Sequence, residues 1–102
     1  MFTSGQLPID PATGEVNGDI SSQTKQVLEN LKAILSAAGG TLDDVIKATV
    51  FITDLSGFGV MNQVYGEYFS TKPPARSTIE VSGLAKQALI EIEVVAHIGN
   101  ER

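Results

Sequence analysis

From Ser21 onward, Val27, Leu31, Ile34, Leu35 and Ala38 recur at helical spacing, while Lys25, Glu29 and Lys32 occupy the opposite face. The stripe predicts an amphipathic helix, and Gly39-Gly40 supplies its stop. Beyond it the period shortens to two. Thr41-Leu42-Asp43-Asp44 has the form of a capping box and short turn. Ile46, Ala48, Val50 and Ile52 then alternate with Lys47, Thr49, Phe51 and Thr53, as in a half-buried strand. A second helix is predicted near Ser56, because Phe58, Asn62, Tyr65 and Phe69 advance by four, three and four residues and so share one face.

Pro73-Pro74 forces extended backbone, and two strands are predicted after it, over 75–82 and 88–98. In the first, Ala75, Ser77, Ile79 and Val81 form an apolar side opposed by Arg76, Thr78 and Glu80. In the second, Ala88, Ile90, Ile92, Val94, Ala96 and Ile98 are opposed by Leu89, Glu91, Glu93, Val95 and His97. At the start of the chain, Met1 to Leu7 reads as strand-like, and Asp10-Pro11-Ala12-Thr13-Gly14 as a turn. The order describes an α+β layer with helices on one side of a mixed sheet.

A chain of 102 residues is expected to form one domain. It contains no Cys, which removes a disulfide framework, a thiolate metal site and a cysteine nucleophile together, and with a single His no protein-built zinc or iron site is expected. Twelve acidic residues against seven basic ones give a net charge of −5, which repels polyphosphate backbones, so nucleic acid is not an expected partner. The apolar runs are too short to span a bilayer and no signal segment opens the chain, which points to the cytoplasm with no membrane partner.

An antiparallel hairpin is the simplest connection of the last two strands. A turn near Leu84 or Ala85 would place Thr78 close to Glu91 and Arg76 close to Glu93, on the face turned away from the aliphatic core. Such a set is either a solvated cross-strand ion pair, worth about 0–1 kcal/mol and the commoner meaning of the pattern, or a surface that binds and reacts. Asn62, in an aromatic stripe, needs a partner: a backbone carbonyl, a sheet-edge amide or a ligand in a pocket at the helix end. Ser4-Gly5 reads as a turn or bulge, or as a place where backbone approaches a ligand. Gly57-Phe58-Gly59-Val60-Met61-Asn62 lacks the third glycine of a dinucleotide fingerprint and is not expected in a βαβ unit. Asp43-Asp44 reads as helix-start chemistry and His97 as a packing or surface residue.

Taken together, four segments resemble the RidA family, also called the YjgF family, over essentially the whole chain. They are Phe2-Thr3-Ser4-Gly5-Gln6-Leu7-Pro8, Asn62 with Tyr65 and Phe69, Pro74-Ala75-Arg76-Ser77-Thr78-Ile79-Glu80-Val81, and Ile90-Glu91-Ile92-Glu93. The resemblance implies a chorismate-mutase-like α+β subunit that assembles as a homotrimer, with ligand clefts between neighbouring subunits. It further implies hydrolysis of reactive 2-imino acids, such as 2-iminobutanoate and 2-iminopropanoate, to 2-oxo acids and ammonia, with no metal or organic cofactor. Carried over by position, Arg76 would grip the substrate carboxylate and Glu91 would attend the attacking water, with Ser4, Gly5 and Asn62 bordering the cleft. Thr78 stands on the pocket wall where many relatives have Cys. Relatives usually carry one more strand before the Thr-Ser-Gly-Gln segment, with a tyrosine closing one side of the site, so a wider and wetter cleft is expected here.

Two other functions compete with the deaminase. One is a non-catalytic module that binds a small carboxylate. The other is an endoribonuclease or translation inhibitor, opposed by scattered basic residues and a lone His.

Overall fold

The computed structural model describes residues 1–99, so Arg102, one of the scattered basic residues, lies outside the described residues. Helix α1, Ile20–Ala37, begins one residue ahead of Ser21 because the Asp19 side chain accepts the Ser22 amide at 2.9 Å and so caps it. Val27, Leu28, Leu31 and Leu35 are fully buried, whereas Ala38 lies past the last turn and is exposed. Gly39, at φ +86°, turns the backbone so that the Gly40 amide reaches the Leu35 carbonyl at 2.8 Å, which ends the helix.

The capping box forms as expected on a single 3-10 turn, Leu42–Asp44: the Thr41 amide donates to Asp44 Oδ2 at 2.8 Å and the Asp43 amide to Thr41 Oγ1 at 3.2 Å. Strand β1, Val45–Ile52, follows, with Ala48, Val50 and Ile52 inward. Ile46 does not join them. A bulge between Val45 and Lys47 gives the inward place to Val45, opposite Ala96, and leaves Ile46 57% exposed.

A short 3-10 turn, Leu55–Gly57, leads into α2, Phe58–Tyr68. Strand β2, Ala75–Glu80, returns parallel to β1, while β3, Ile90–Ala96, lies antiparallel on the other side of β1. The strand order is therefore β2-β1-β3, and the hairpin expected between the last two strands does not form. The reason lies in the crossover: α2 spans β1 to β2 and lays them side by side, so residues 81–89 must pass the end of β1 to reach its free edge. Lys86 and Gln87, both at positive φ, bend that passage, and the Leu89 amide docks on the buried Gln23 side chain at 2.8 Å. The β1-α2-β2 unit also supplies the βαβ context not expected for Gly57 to Asn62; the missing third glycine still separates that segment from a dinucleotide fingerprint.

The opening segment lies along the outer edge of β3. The Gln6 amide reaches the Ile92 carbonyl at 2.8 Å and the Thr3 amide the Val94 carbonyl at 3.0 Å, and the pairing lapses between them at Ser4-Gly5. Both helices cover one face of this small mixed sheet, whose core joins Leu28, Leu31 and Leu35 with Met61, Tyr65 and Phe69 over Ala48, Val50, Ile90 and Ile92. The other face carries Lys47, Thr49, Phe51, Ser77, Ile79, Glu91 and Val95 with no helix over it. Among the described residues no helix is long and apolar enough to cross a membrane.

Candidate functional site

Pairing with Ala48 and Val50 puts Arg76 and Thr78 of β2 on the helix-covered face, the reverse of the expected outward placement. The cause is α2. Phe58, Asn62 and Tyr65 lie on one side of this helix and meet the edge strand there, so aromatic rings cover part of the guanidinium. Arg76 Cζ lies 4.7 Å from the Tyr65 ring centroid and 5.4 Å from that of Phe58, and Nη1 donates to Asn62 Oδ1 at 2.7 Å. The partner of Asn62 is thus this arginine, neither a backbone carbonyl nor a sheet-edge amide.

Among the described residues, Nε and Nη2 of Arg76 bond to no protein group, and no carboxylate pairs with the charge. A half-buried guanidinium with one free edge can hold a planar anion with two parallel charge-assisted bonds. A cavity of about 380 Å³ opens beside it, between Asn62 and Tyr65 on one side and Pro73 and Pro74 on the other. Among the described residues, buried Thr78 Oγ1 has no hydrogen-bond partner, nor has the Tyr65 hydroxyl. Burial pushes the Tyr65 phenol above the usual tyrosine range, and the Arg76 charge opposes it.

Glu91 lies elsewhere. It pairs with Phe51 on the uncovered face, and the backbone of Gly5 rests against its carboxylate so closely that a Cβ at position 5 would collide with Oε2. Ser4 adjoins it, with its Oγ accepting from Gln6 Nε2 at 3.1 Å. The lapse in pairing at Ser4-Gly5 is therefore both an irregularity of the edge and a close approach, in this case to a side chain of the same chain. Glu93 pairs with Thr49, which faces Ser77 in turn, and not with Arg76.

The structure thus brings Arg76, Asn62 and Thr78 together, and separately Ser4, Gly5 and Glu91. It does not bring the two groups together. The shared face expected for Arg76, Thr78, Glu91 and Glu93 is contradicted: β1 lies between the strands, about 10 Å of sheet separates them, and the two sets point to opposite sides. Sequence reasoning missed Phe58 and Tyr65 as holders of Arg76, although the spacing that singled out Asn62 already placed all three on one helix face. Among the described residues no group of three or more His, Cys, Asp or Glu could hold a metal ion. His97 is exposed, and its amide serves the Asp44 carbonyl.

A family model described as Endoribonuclease L-PSP matches residues 1–98. A RutC family protein of Pyrococcus horikoshii is 59% identical over 98 residues, covering 95% of this chain and 78% of the relative. A 2-iminobutanoate/2-iminopropanoate deaminase of Salmonella typhimurium is 48% identical over 99 residues, covering 94% of this chain and 77% of the relative. Among solved structures, Escherichia coli TdcF with bound serine superposes with a TM-score of 0.88 at 47% identity, over 93% of this chain and 76% of the other.

Proposed function

The chain belongs to the Endoribonuclease L-PSP family, which is the RidA (YjgF) family, and from that premise we propose that it hydrolyses 2-imino acids to 2-oxo acids and ammonia in a cleft completed by a second copy of itself. One observation carries this reading: Arg76 is an aromatic-bounded guanidinium with a free edge and, among the described residues, no counter-ion. That edge suits a small carboxylate. The serine bound by TdcF and the deaminase among the relatives agree with a ligand of this size and charge.

The division of the site supports the subunit arrangement. Arg76, Asn62 and Thr78 form one half, Glu91, Ser4 and Gly5 the other, and a homotrimer would set one protomer's first half against its neighbour's second. The uncovered sheet face has apolar area to bury in such contacts, with Ile79 44% and Phe2 82% exposed beside Phe51 and Val95.

In the reaction, Arg76 holds the carboxylate and so fixes the orientation of the adjacent C=N carbon. Glu91 of the neighbouring protomer orients a water, takes one proton as oxygen adds to carbon and passes it to the imine nitrogen, then carries the carbinolamine hydroxyl proton to nitrogen as the C–N bond breaks and ammonia leaves. One water is consumed, the C–N bond breaks, and C=O replaces C=NH. Because an imino acid is already electrophilic, the chemistry needs no activated Cys or Ser. Thr78 shapes the pocket wall.

A coupled assay that generates a 2-imino acid and follows ammonia release tests this directly. Arg76→Ala removes charge-assisted bonds worth about 1.5–3 kcal/mol each, so the rate falls by at least one to two orders of magnitude while the oligomer persists. Unchanged turnover in that variant would remove Arg76 from the mechanism. The family's name favours a second reading, RNA cleavage, but the net charge of −5 and the single His oppose it. RNA cleavage by the pure protein that disappears with Arg76→Ala would put that reading first.

A further inference from the structure

The guanidinium of Arg76 is constrained in two independent ways. The hydrogen bond from Nη1 to Asn62 Oδ1, at 2.7 Å, fixes rotation within its plane, and the rings of Tyr65 and Phe58 limit tilt of the plane itself. The two rings are not equivalent. Phe58 sits in the first turn of α2 and is 36% exposed, so it can swing. Tyr65 is 5% exposed, packs against Phe69 at 4.7 Å between centroids, and belongs to the core, and its ring is the nearer to Arg76.

Among the described residues the buried Tyr65 hydroxyl has no hydrogen-bond partner, and it makes no bond to Arg76. What the arginine meets is the ring. We propose that Tyr65 is a positioning residue for Arg76, acting through the face of its ring and not through its hydroxyl, so that the Nε–Nη2 edge is already oriented when a carboxylate arrives. An arginine ordered in advance gives up little freedom on binding, which raises affinity without any new contact to the ligand. The consequence for binding rests on the carboxylate reading above; the placement of the guanidinium does not.

The test uses the full chain, with 2-oxobutanoate as a non-reacting probe and the Nε–Hε NMR signal of Arg76 as a reporter in ligand-free protein. Tyr65→Phe, which keeps the ring, is expected to leave both the signal and the affinity unchanged. Tyr65→Leu is expected to move the signal as the ring current is lost, to loosen the side chain, and to weaken 2-oxobutanoate about tenfold. KM for the imino acid rises by the same factor, and kcat holds within about twofold, as expected when binding alone is lost. Should Tyr65→Leu fail to fold, Tyr65→Met fills the volume with a flexible apolar chain and no ring.

An Arg76 signal and affinity indifferent to Tyr65→Leu and Tyr65→Met would overturn the proposal, and so would a Tyr65→Phe variant as damaged as Tyr65→Leu. If wild type ignores 2-oxobutanoate while the Arg76 signal still answers to Tyr65→Leu, the positioning stands and the carboxylate reading is what falls.

Discussion

Arg76 and Glu91 stand two strands apart in one small sheet, and their surroundings differ in kind. Arg76 is gripped by three side chains of a single helix, Phe58, Asn62 and Tyr65, on the face that α1 and α2 cover. Among the described residues no side chain holds Glu91; its carboxylate rests on the backbone of Gly5 on the face left open. The contrast shows that one side chain of the sheet is held by its own chain's helix while the other is left on an open face; under the proposed function the first is the anchor and the second the reacting end. Helix side chains supply rigidity at the first place, and a glycine supplies room at the second.

The comparison breaks most sharply at Glu91. Glu91→Gln keeps the shape and removes the base, so the deamination rate is expected to fall by about 10² to 10⁴ while 2-oxobutanoate affinity holds. Steady-state kinetics beside calorimetry will separate the two; lost affinity with unchanged turnover would exchange the roles of the two halves. Gly5→Ala is the next largest, since the new Cβ displaces the carboxylate by an ångström or so, a shift that can cost about a hundredfold in rate. A wild-type rate in Gly5→Ala would show that Glu91 needs no fixed place. Asn62→Ala acts on the other half: with Nη1 released, 2-oxobutanoate should bind about three- to tenfold more weakly by calorimetry, with Glu91 chemistry intact.

The smallest effect is a control outside both halves. Tyr68 donates to Glu29 Oε2 at 2.7 Å, and burial, then Glu29, pushes its phenol up to about 12. The folded value lies above the ordinary one, so this contribution to stability is complete below pH 10 and fades as the pH rises through 12. Tyr68→Phe is expected to melt about 2–4 °C below wild type at neutral pH, to lose that difference in strong alkali, and to deaminate normally. A pH-independent difference would assign the effect to packing.

What was legible in the sequence was local. The stripe of α1, the Gly39-Gly40 stop, the capping box at Thr41 and the alternation of β3 all arise from neighbours within a few residues, and all are found in place. What was not legible was how strands are ordered. Nothing between Glu80 and Ile90 announces that the chain passes the end of β1, because the crossover through α2 decides it. From that one misplacement follow the missing hairpin and the wrong face for Arg76. An edge strand tolerates an arginine on its covered side when a helix offers rings and an amide to receive it, so the alternation in β2 alone points to the wrong side. Ile46 failed for a related reason, since a bulge shifts the pleat by one without any mark in composition. At the candidate site the residue types were legible and their grouping was not: the resemblance named Ser4, Gly5, Asn62, Arg76, Thr78 and Glu91, but only coordinates divide them into two halves.

Whether the two halves meet across a subunit boundary, as proposed, is decided by mixing subunits. Arg76→Ala and Glu91→Gln protomers, each nearly inactive alone, are denatured together and allowed to reassemble. Ammonia release is expected to return in the mixture, because some boundaries then join an intact Arg76 to an intact Glu91. A mixture that forms hybrid oligomers yet stays as inactive as its parents would contradict it.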